Sequence, residues 1–190
     1  MTPSQTAKQD RILECALKLL RENGDAGLTM RKLAECAGMR LSNVQYYFRS
    51  KDDVLEHMVV LYAGRCQDDL KRAAGALEAQ SPQARARALI DQSLQHGAEL
   101  SHMCRIFREL WAISSRNPRI EEAMAAYYAE IGHLLVGAIL GDLADQPAKD
   151  RLQSLLLPYF EGYSITAAAL PMATEDVAEL LTALAMNALD

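Results

Sequence analysis

The run Leu28-Thr29-Met30-Arg31-Lys32-Leu33-Ala34-Glu35-Cys36-Ala37-Gly38-Met39-Arg40, continued by Leu41-Ser42-Asn43-Val44-Gln45-Tyr46-Tyr47-Phe48-Arg49-Ser50-Lys51, reads as two short helices joined by a glycine turn. Thr29 is a natural N-cap, because its hydroxyl can accept a first-turn amide proton. Ala34 is small where two crossing helices touch. Gly38 can take the left-handed conformation a tight turn needs, and Val44 plugs the second helix into a core. A unit of about twenty residues is too short to hold itself together, so the missing apolar surface has to come from its neighbours. Before it, Ile12, Leu13, Ala16, Leu17 and Leu20 recur at helical spacing from about Thr6 to Asn23, where Asn23-Gly24 stops them. After it, Ser50-Lys51-Asp52-Asp53 reads as a capping box opening a longer helix through Val54, Met58, Leu61 and Tyr62.

The remainder is helical by the same tests. Ala and Leu supply 58 of the 190 residues against 20 for Val, Ile and Thr, a balance that favours helix over strand. Ser81-Pro82 and Asn117-Pro118 each pair a capping residue with proline at a first helical position. A further helix runs from about Met103 to Ser115. Asp145-Gln146-Pro147 breaks the chain before a long helix from about Ala148 to Leu170, Pro171 ends it, and Thr174-Glu175-Asp176 caps the last one. The expected architecture is all-α with about nine helices. A three-helix, helix-turn-helix head over residues 1–56 (motif about 29–48) is joined by a fourth helix to a helical body over residues 57–190.

Charge is concentrated. Between Thr29 and Lys51, the cations Arg31, Lys32, Arg40, Arg49 and Lys51 face Glu35 alone, a local balance of +4 in a chain of net −5. A basic island in an acidic protein points to a polyanion contact at one place, with the rest discouraging indiscriminate binding. Cys15, Cys36, Cys66 and Cys104 form no C-x-x-C pair and read as reduced thiols of a cytoplasmic protein. The longest stretch free of charged residues, Gly162 to Thr174, is too short to span a bilayer and contains Pro171, so no membrane partner is expected.

Within the quoted run, Leu28 to Met39 and Val44 to Lys51, together with Ile12-Leu13-Glu14-Cys15-Ala16 through Glu22-Asn23-Gly24, resemble the signature of the tetracycline-repressor (TetR) family over about residues 8 to 56. That resemblance implies a homodimeric repressor with a DNA-binding head and a body that binds a small-molecule effector and dimerises. It places Thr29 and Arg31 at phosphates flanking the groove. Leu41, Ser42, Asn43 and Tyr46 fall on the exposed face of the recognition helix, with Gln45 and Tyr47 near the backbone and Lys51 on a phosphate. The chemistry agrees: free amides at helix N-termini attract anions, Asn43 can pair with adenine, and tyrosine rings reach sugars and thymine methyls. Three positions depart from the family pattern. Arg40 stands where a Ser or Thr cap is common, Leu41 replaces a polar residue, and Gln45 replaces a common Tyr. Ser42 with Gln45 could form a substitute capping box, which would start the recognition helix later and hide Ser42.

In the body, Met103, Phe107, Leu110, Trp111 and Ser114 share one helical face, and Met124, Tyr127, Tyr128, Ile131 and Leu135 share another. Aromatics and Met mixed with small polar groups suit a pocket for an apolar or aromatic effector, with Phe107, Trp111, Met124 and Tyr128 as walls and Glu161 as a polar contact. Any buried helix shows the same stripe. Dimerisation is expected on the last two helices, through Leu152, Leu155, Leu156, Tyr159 and Tyr163 on one and Val177, Leu180, Leu181, Leu184, Ala188 and Leu189 on the other. No nucleophile–base–acid set, phosphate loop or dinucleotide fingerprint appears, and no cofactor or structural metal is expected. The alternative function is a di-iron-type oxidase, since Glu99-x-x-His102 and Glu130-x-x-His133 have the spacing used in helical bundles, with Glu109 and Glu161 as further ligands.

Overall fold

The computed structural model of the chain describes residues 3–98, 102–141 and 144–188. Among these are nine α-helices, one 3-10 turn and no strand. They form two compact units, one of residues 1–62 and 105–127, the other of 63–104 and 128–190. The first unit thus takes in the expected head, residues 57–62 and a second segment far along the chain.

In the first unit, α1 (Pro3–Gly27) is interrupted at Gly24, whose φ of 61° is the break anticipated at Asn23-Gly24. Helix α2 (Met30–Ala37) starts at Thr29, whose Oγ1 accepts the Lys32 amide at 3.3 Å. It ends at Gly38, with φ 66°, where the Met39 amide bonds back to the Ala34 carbonyl at 2.9 Å. That double-capped turn leads into α3 (Leu41–Tyr47). Ser50 caps α4 (Lys51–Leu77) by accepting the Asp53 amide at 3.1 Å, while Asp53 Oδ2 reaches the Arg49 amide at 3.0 Å instead of that of Ser50. Leu33, Val44, Phe48, Val54 and Met58 are fully buried, so both flanking helices complete the motif's core as the apolar spacing requires. The later segment of the unit carries Ile106, Phe107, Leu110 and Ile113 on α6 (His102–Ser114), and Ile120 and Met124 at the start of α7 (Pro118–Leu140), all buried.

The second unit is built on α5 (Pro82–Ala98), the latter part of α7, α8 (Gln146–Thr166) and α9 (Thr174–Asn187). Asp145 caps α8 by accepting the Ala148 amide at 2.9 Å, and the helix continues through Pro158. It ends at Thr166, earlier than Pro171 suggests, because the 3-10 turn Ala167–Ala169 takes up the intervening residues. Thr174 does not cap α9. The cap residue is Ala173, and the Thr174 hydroxyl instead accepts the Tyr163 Oη proton at 2.9 Å, tying α9 to α8. Among the described residues, α7 is the one helix long and apolar enough to cross a membrane by composition, with a window of mean hydropathy 1.4 of which 39% is buried. Val136, Ile139 and Leu140 spend that apolar surface in the unit's core.

The residues expected at the dimer interface divide between this core and the surface. Leu152, Leu156, Tyr163, Val177 and Leu181 are buried inside the unit, between α5, α7, α8 and α9. Leu155 and Tyr159 are half-buried against the same core, and Tyr159 stacks on Tyr163 at 6.1 Å. Ala188 ends α9, and Leu189 lies outside the described residues. The outward face belongs to Leu180 and Leu184, 50% and 47% exposed.

Candidate nucleic-acid interface

Helix α3 has one inner and one outer face. Val44 is fully buried and Tyr47 half-buried, while Ser42, Asn43, Gln45 and Tyr46 are exposed, Tyr46 at 73%. The ring of Tyr46 meets Tyr47 edge-on at 5.2 Å. The helix begins at Leu41, with Arg40 as an N-cap that makes no side-chain bond; the Asn43 and Val44 amides go to the Arg40 carbonyl at 2.9 and 3.2 Å. The substitute capping box of Ser42 and Gln45 therefore does not form, and Ser42 stays on the outer face. Thr29, Arg31 and Arg40 are exposed as well, and Leu41 is half-buried. First-turn amides of α2 ahead of Lys32 have no carbonyl within the helix to bond, which leaves them for an anion.

Lys51 is differently placed. Its Nζ lies 2.6 Å from Asp25 Oδ1 and 2.6 Å from the Asp25 carbonyl oxygen, pinning the end of α1 to the start of α4. Spacing alone does not reveal its partner 26 residues away.

That ion pair belongs to a network the sequence reading missed. Arg116, in the turn between α6 and α7, reaches Asp25 Oδ2 at 3.2 Å. Asn117 Nδ2 donates to Asp52 Oδ1 at 2.9 Å, and Arg119 pairs with Asp53 at 2.9 Å and with Glu56. The α6–α7 turn is thereby clamped to both ends of the helix-turn-helix. Burial raises the Asp25 carboxyl, but hydrogen bonds from Lys51 and Arg116 and their charges outweigh it and hold the group below its ordinary 3.8. The Arg119 hydrogen bond does the same for Asp53.

The network has a pH signature. A carboxyl depressed in the folded state stabilises fully above its ordinary value, and that stability is lost as pH falls through the lowered one. Asp25→Asn is expected to lower Tm at pH 7, by about 2–4 °C for each kcal/mol removed. The deficit should shrink once pH drops below 3.8. A deficit unchanged at strongly acid pH in calorimetry would assign the loss to packing instead of charge.

The effector candidates are divided between the units, with Phe107, Trp111 and Met124 in the first and Tyr128 and Glu161 in the second. Phe107 stacks on Tyr127 at 4.9 Å and meets Tyr62 edge-on at 6.4 Å. Trp111 is 54% exposed, because the buried stripe of α6 follows Ile106, Phe107, Leu110 and Ile113 and leaves position 111 off the inner face. Met124 is buried in the first unit. In the second unit, Glu161 and Tyr128 do come together: burial pushes the Glu161 carboxyl up, and a hydrogen bond from Tyr128 opposes it. The oxidase alternative gains no support. Glu99 lies outside the described residues, as does the side chain of His102, Glu130 and His133 are both exposed, and no cluster of three metal-ligating groups occurs among the described residues.

Residues 12–58 match the family model described as bacterial regulatory proteins, tetR family. An uncharacterized HTH-type transcriptional regulator in the dhlA 5′ region of Xanthobacter autotrophicus is 41% identical over 178 residues, 94% of this chain and 88% of that protein. Among solved structures, a TetR-family regulator from Mesorhizobium loti superposes with a TM-score of 0.75 at 17% identity, covering 100% of this chain and 98% of the other. The multidrug binding protein EbrR, complexed with imidazole, does so with a TM-score of 0.69 at 22% identity, covering 93% and 94%. The outward face of α3 on a twice-capped turn, the family match centred on that turn and a 41% identical regulator spanning nearly the whole chain agree: this protein belongs to the tetR family of bacterial transcriptional regulators.

Proposed function

We propose that the chain is a one-component, ligand-responsive repressor that binds a near-palindromic double-stranded DNA operator as a cytoplasmic homodimer. The observation that carries this reading is the exposed face of α3, where Ser42, Asn43, Gln45 and Tyr46 stand clear of a core closed by Val44 and Phe48. Asn43 and Ser42 read base edges, Tyr46, Tyr47 and Leu41 contact sugars and methyl groups, and Thr29, Arg31, Arg40 and Gln45 hold the backbone. Two such helices related by a dyad enter successive major grooves.

The effector is a small apolar or aromatic molecule, for which the half-buried Tyr128–Glu161 pair supplies a polar anchor. The shared fold with a multidrug binding protein complexed with imidazole supports a ligand-binding body. Helices α4 and α7 each continue from one unit into the other, and each carries part of the network on Asp25 and Asp53. A ligand that prefers one arrangement of those helices shifts the head by its differential affinity, typically ~1–3 kcal/mol. No catalytic step is assigned.

Selection of duplexes from a random pool by the purified protein, followed by mobility shifts, tests the head. Asn43→Ala is expected to retain binding while losing preference at one base pair per half-site, about 1–3 kcal/mol of discrimination. Selection of the same sequences by both proteins would remove Asn43 from the readout, and an empty selection would overturn the function.

A further inference from the structure

Lys51, Asp25 and Arg116 form a charge triad inside the first unit, drawn from the start of α4, the end of α1 and the turn after α6. The Lys51 ammonium sets two of its three N–H groups on Asp25, at Oδ1 and at the backbone carbonyl, both 2.6 Å away. The third has no acceptor among the described residues, and the side chain is 31% exposed, so an outside anion can reach it. Arg116 takes the other carboxylate oxygen, Oδ2, at 3.2 Å. Its second terminal nitrogen donates to the Ala112 carbonyl of α6 at 2.9 Å. One carboxylate thus serves two cations from distant parts of the chain. We propose that Arg116 is a positioning residue for DNA: by sharing Asp25 it leaves the Lys51 charge available to an operator phosphate, so that withdrawing the α6–α7 turn weakens the head's hold on DNA.

The charges make the argument. Two cations around one carboxylate leave an excess positive charge beside the free N–H of Lys51. Without Arg116, Lys51 and Asp25 cancel, and a phosphate approaching Lys51 meets a neutral pair with a carboxylate 2.6 Å behind it. Asp25 keeps only 28% of its side chain in water, so solvent screens it less than it would an open surface group.

The same arrangement sets the direction of a response. Arg116 is tied to the last turn of α6 through Ala112, while Asn117 and Arg119 hold Asp52, Asp53 and Glu56 on the first turns of α4. A shift of the turn that takes Arg116 away from Asp25 turns the whole carboxylate charge on Lys51. The head need not unfold or change its own packing to release DNA. An effector that favours the withdrawn turn therefore lowers operator affinity. This inference rests on the regulator reading above and supplies it with a residue.

The test uses the full-length protein and a duplex that the wild type retains from a random pool, titrated over a range of salt concentrations. Arg116→Ala is expected to weaken binding about two- to five-fold, the size of one partly exposed charge interaction. It should also flatten the dependence of affinity on salt, as Lys51→Ala does. In the Lys51→Ala background the same change should lose most of its effect. Adding Asp25→Asn to Arg116→Ala should restore binding, because Lys51 is then free of its counter-charge. A clamp that acts only by holding the fold predicts the opposite for that double variant, since losing the second partner loosens it further. Melting curves fix the folded fraction of each variant. Should the Asp25→Asn double variant melt below the assay temperature, the comparison with Lys51→Ala decides alone. An Arg116→Ala protein that binds like the wild type would overturn the proposal. So would a loss of equal size without Lys51, or a folded double variant in which Asp25→Asn restores nothing. A wild type that retains no duplex overturns the regulator reading and this proposal together, whereas every other failure leaves that reading standing.

Discussion

A variant with Leu180 and Leu184 both changed to Glu is expected to remain folded, to become monomeric by light scattering, and to lose about 100-fold or more in operator affinity. The two leucines stand one turn apart on α9, and each keeps about half of its surface in water. Large apolar side chains repeated on one face of a terminal helix are what a two-fold interface needs, because the same patch meets itself across the dyad. Carboxylates there cost little in the single chain, since they point outward, but four of them would meet across an axis. Loss of the dimer then separates two half-site contacts that had shared one binding event. Changing their neighbour Leu181 has the opposite consequence. It is 2% exposed and packs in the core with Leu152, Leu156 and Val177, so Leu181→Glu buries a charge without a partner. The expected cost is on the order of 4 kcal/mol or more, a large share of a domain's stability, and it should appear as lost helical signal instead of a folded monomer. A Leu180→Glu, Leu184→Glu protein that stays dimeric would move the interface off this face.

The contrast between positions 180 and 181 shows where sequence reading runs out. Periodicity finds that α9 has an apolar stripe, but Val177, Leu180, Leu181 and Leu184 span more of the helix than one partner can cover. Only the placement of α5 and α8 decides which of them face inward. On α6 the same helical spacing groups Trp111 with Phe107, yet Phe107 is buried and Trp111 is 54% exposed. The head was legible because its signals are local. Thr29 caps three residues on, Gly38 turns within its own motif, and Ser50 caps Asp53. The clamp on it was illegible for the converse reason. Arg116 meets Asp25 across 91 residues and Asn117 meets Asp52 across 65, and an arginine in a polar turn carries no mark of its distant partner.

Phe48→Ala is expected to abolish operator binding by unfolding the head, whereas Tyr46→Ala, two residues away, should weaken binding in a head that stays folded. Phe48 is fully buried and meets His57 of α4 edge-on at 5.1 Å. Its amide closes α3 on the Val44 carbonyl at 2.9 Å, and the extended backbone at that point, φ −136°, turns the chain toward α4. The ring therefore fills the space where α3 ends and α4 begins. Removing it costs about 3–5 kcal/mol, the transfer of the ring plus the cavity it leaves. Tyr46, 73% exposed, contributes little to that core, and its truncation should change stability by no more than about 0.5 kcal/mol. Any loss of affinity in Tyr46→Ala therefore belongs to contacts with DNA, while loss in Phe48→Ala should track the fraction of folded head seen by circular dichroism. If Phe48→Ala melted with the wild type yet failed to bind, the ring would have to act on DNA directly, which its burial beneath α3 forbids; if it bound normally, the path from Val44 through Phe48 to α4 would not be what holds the recognition helix in place.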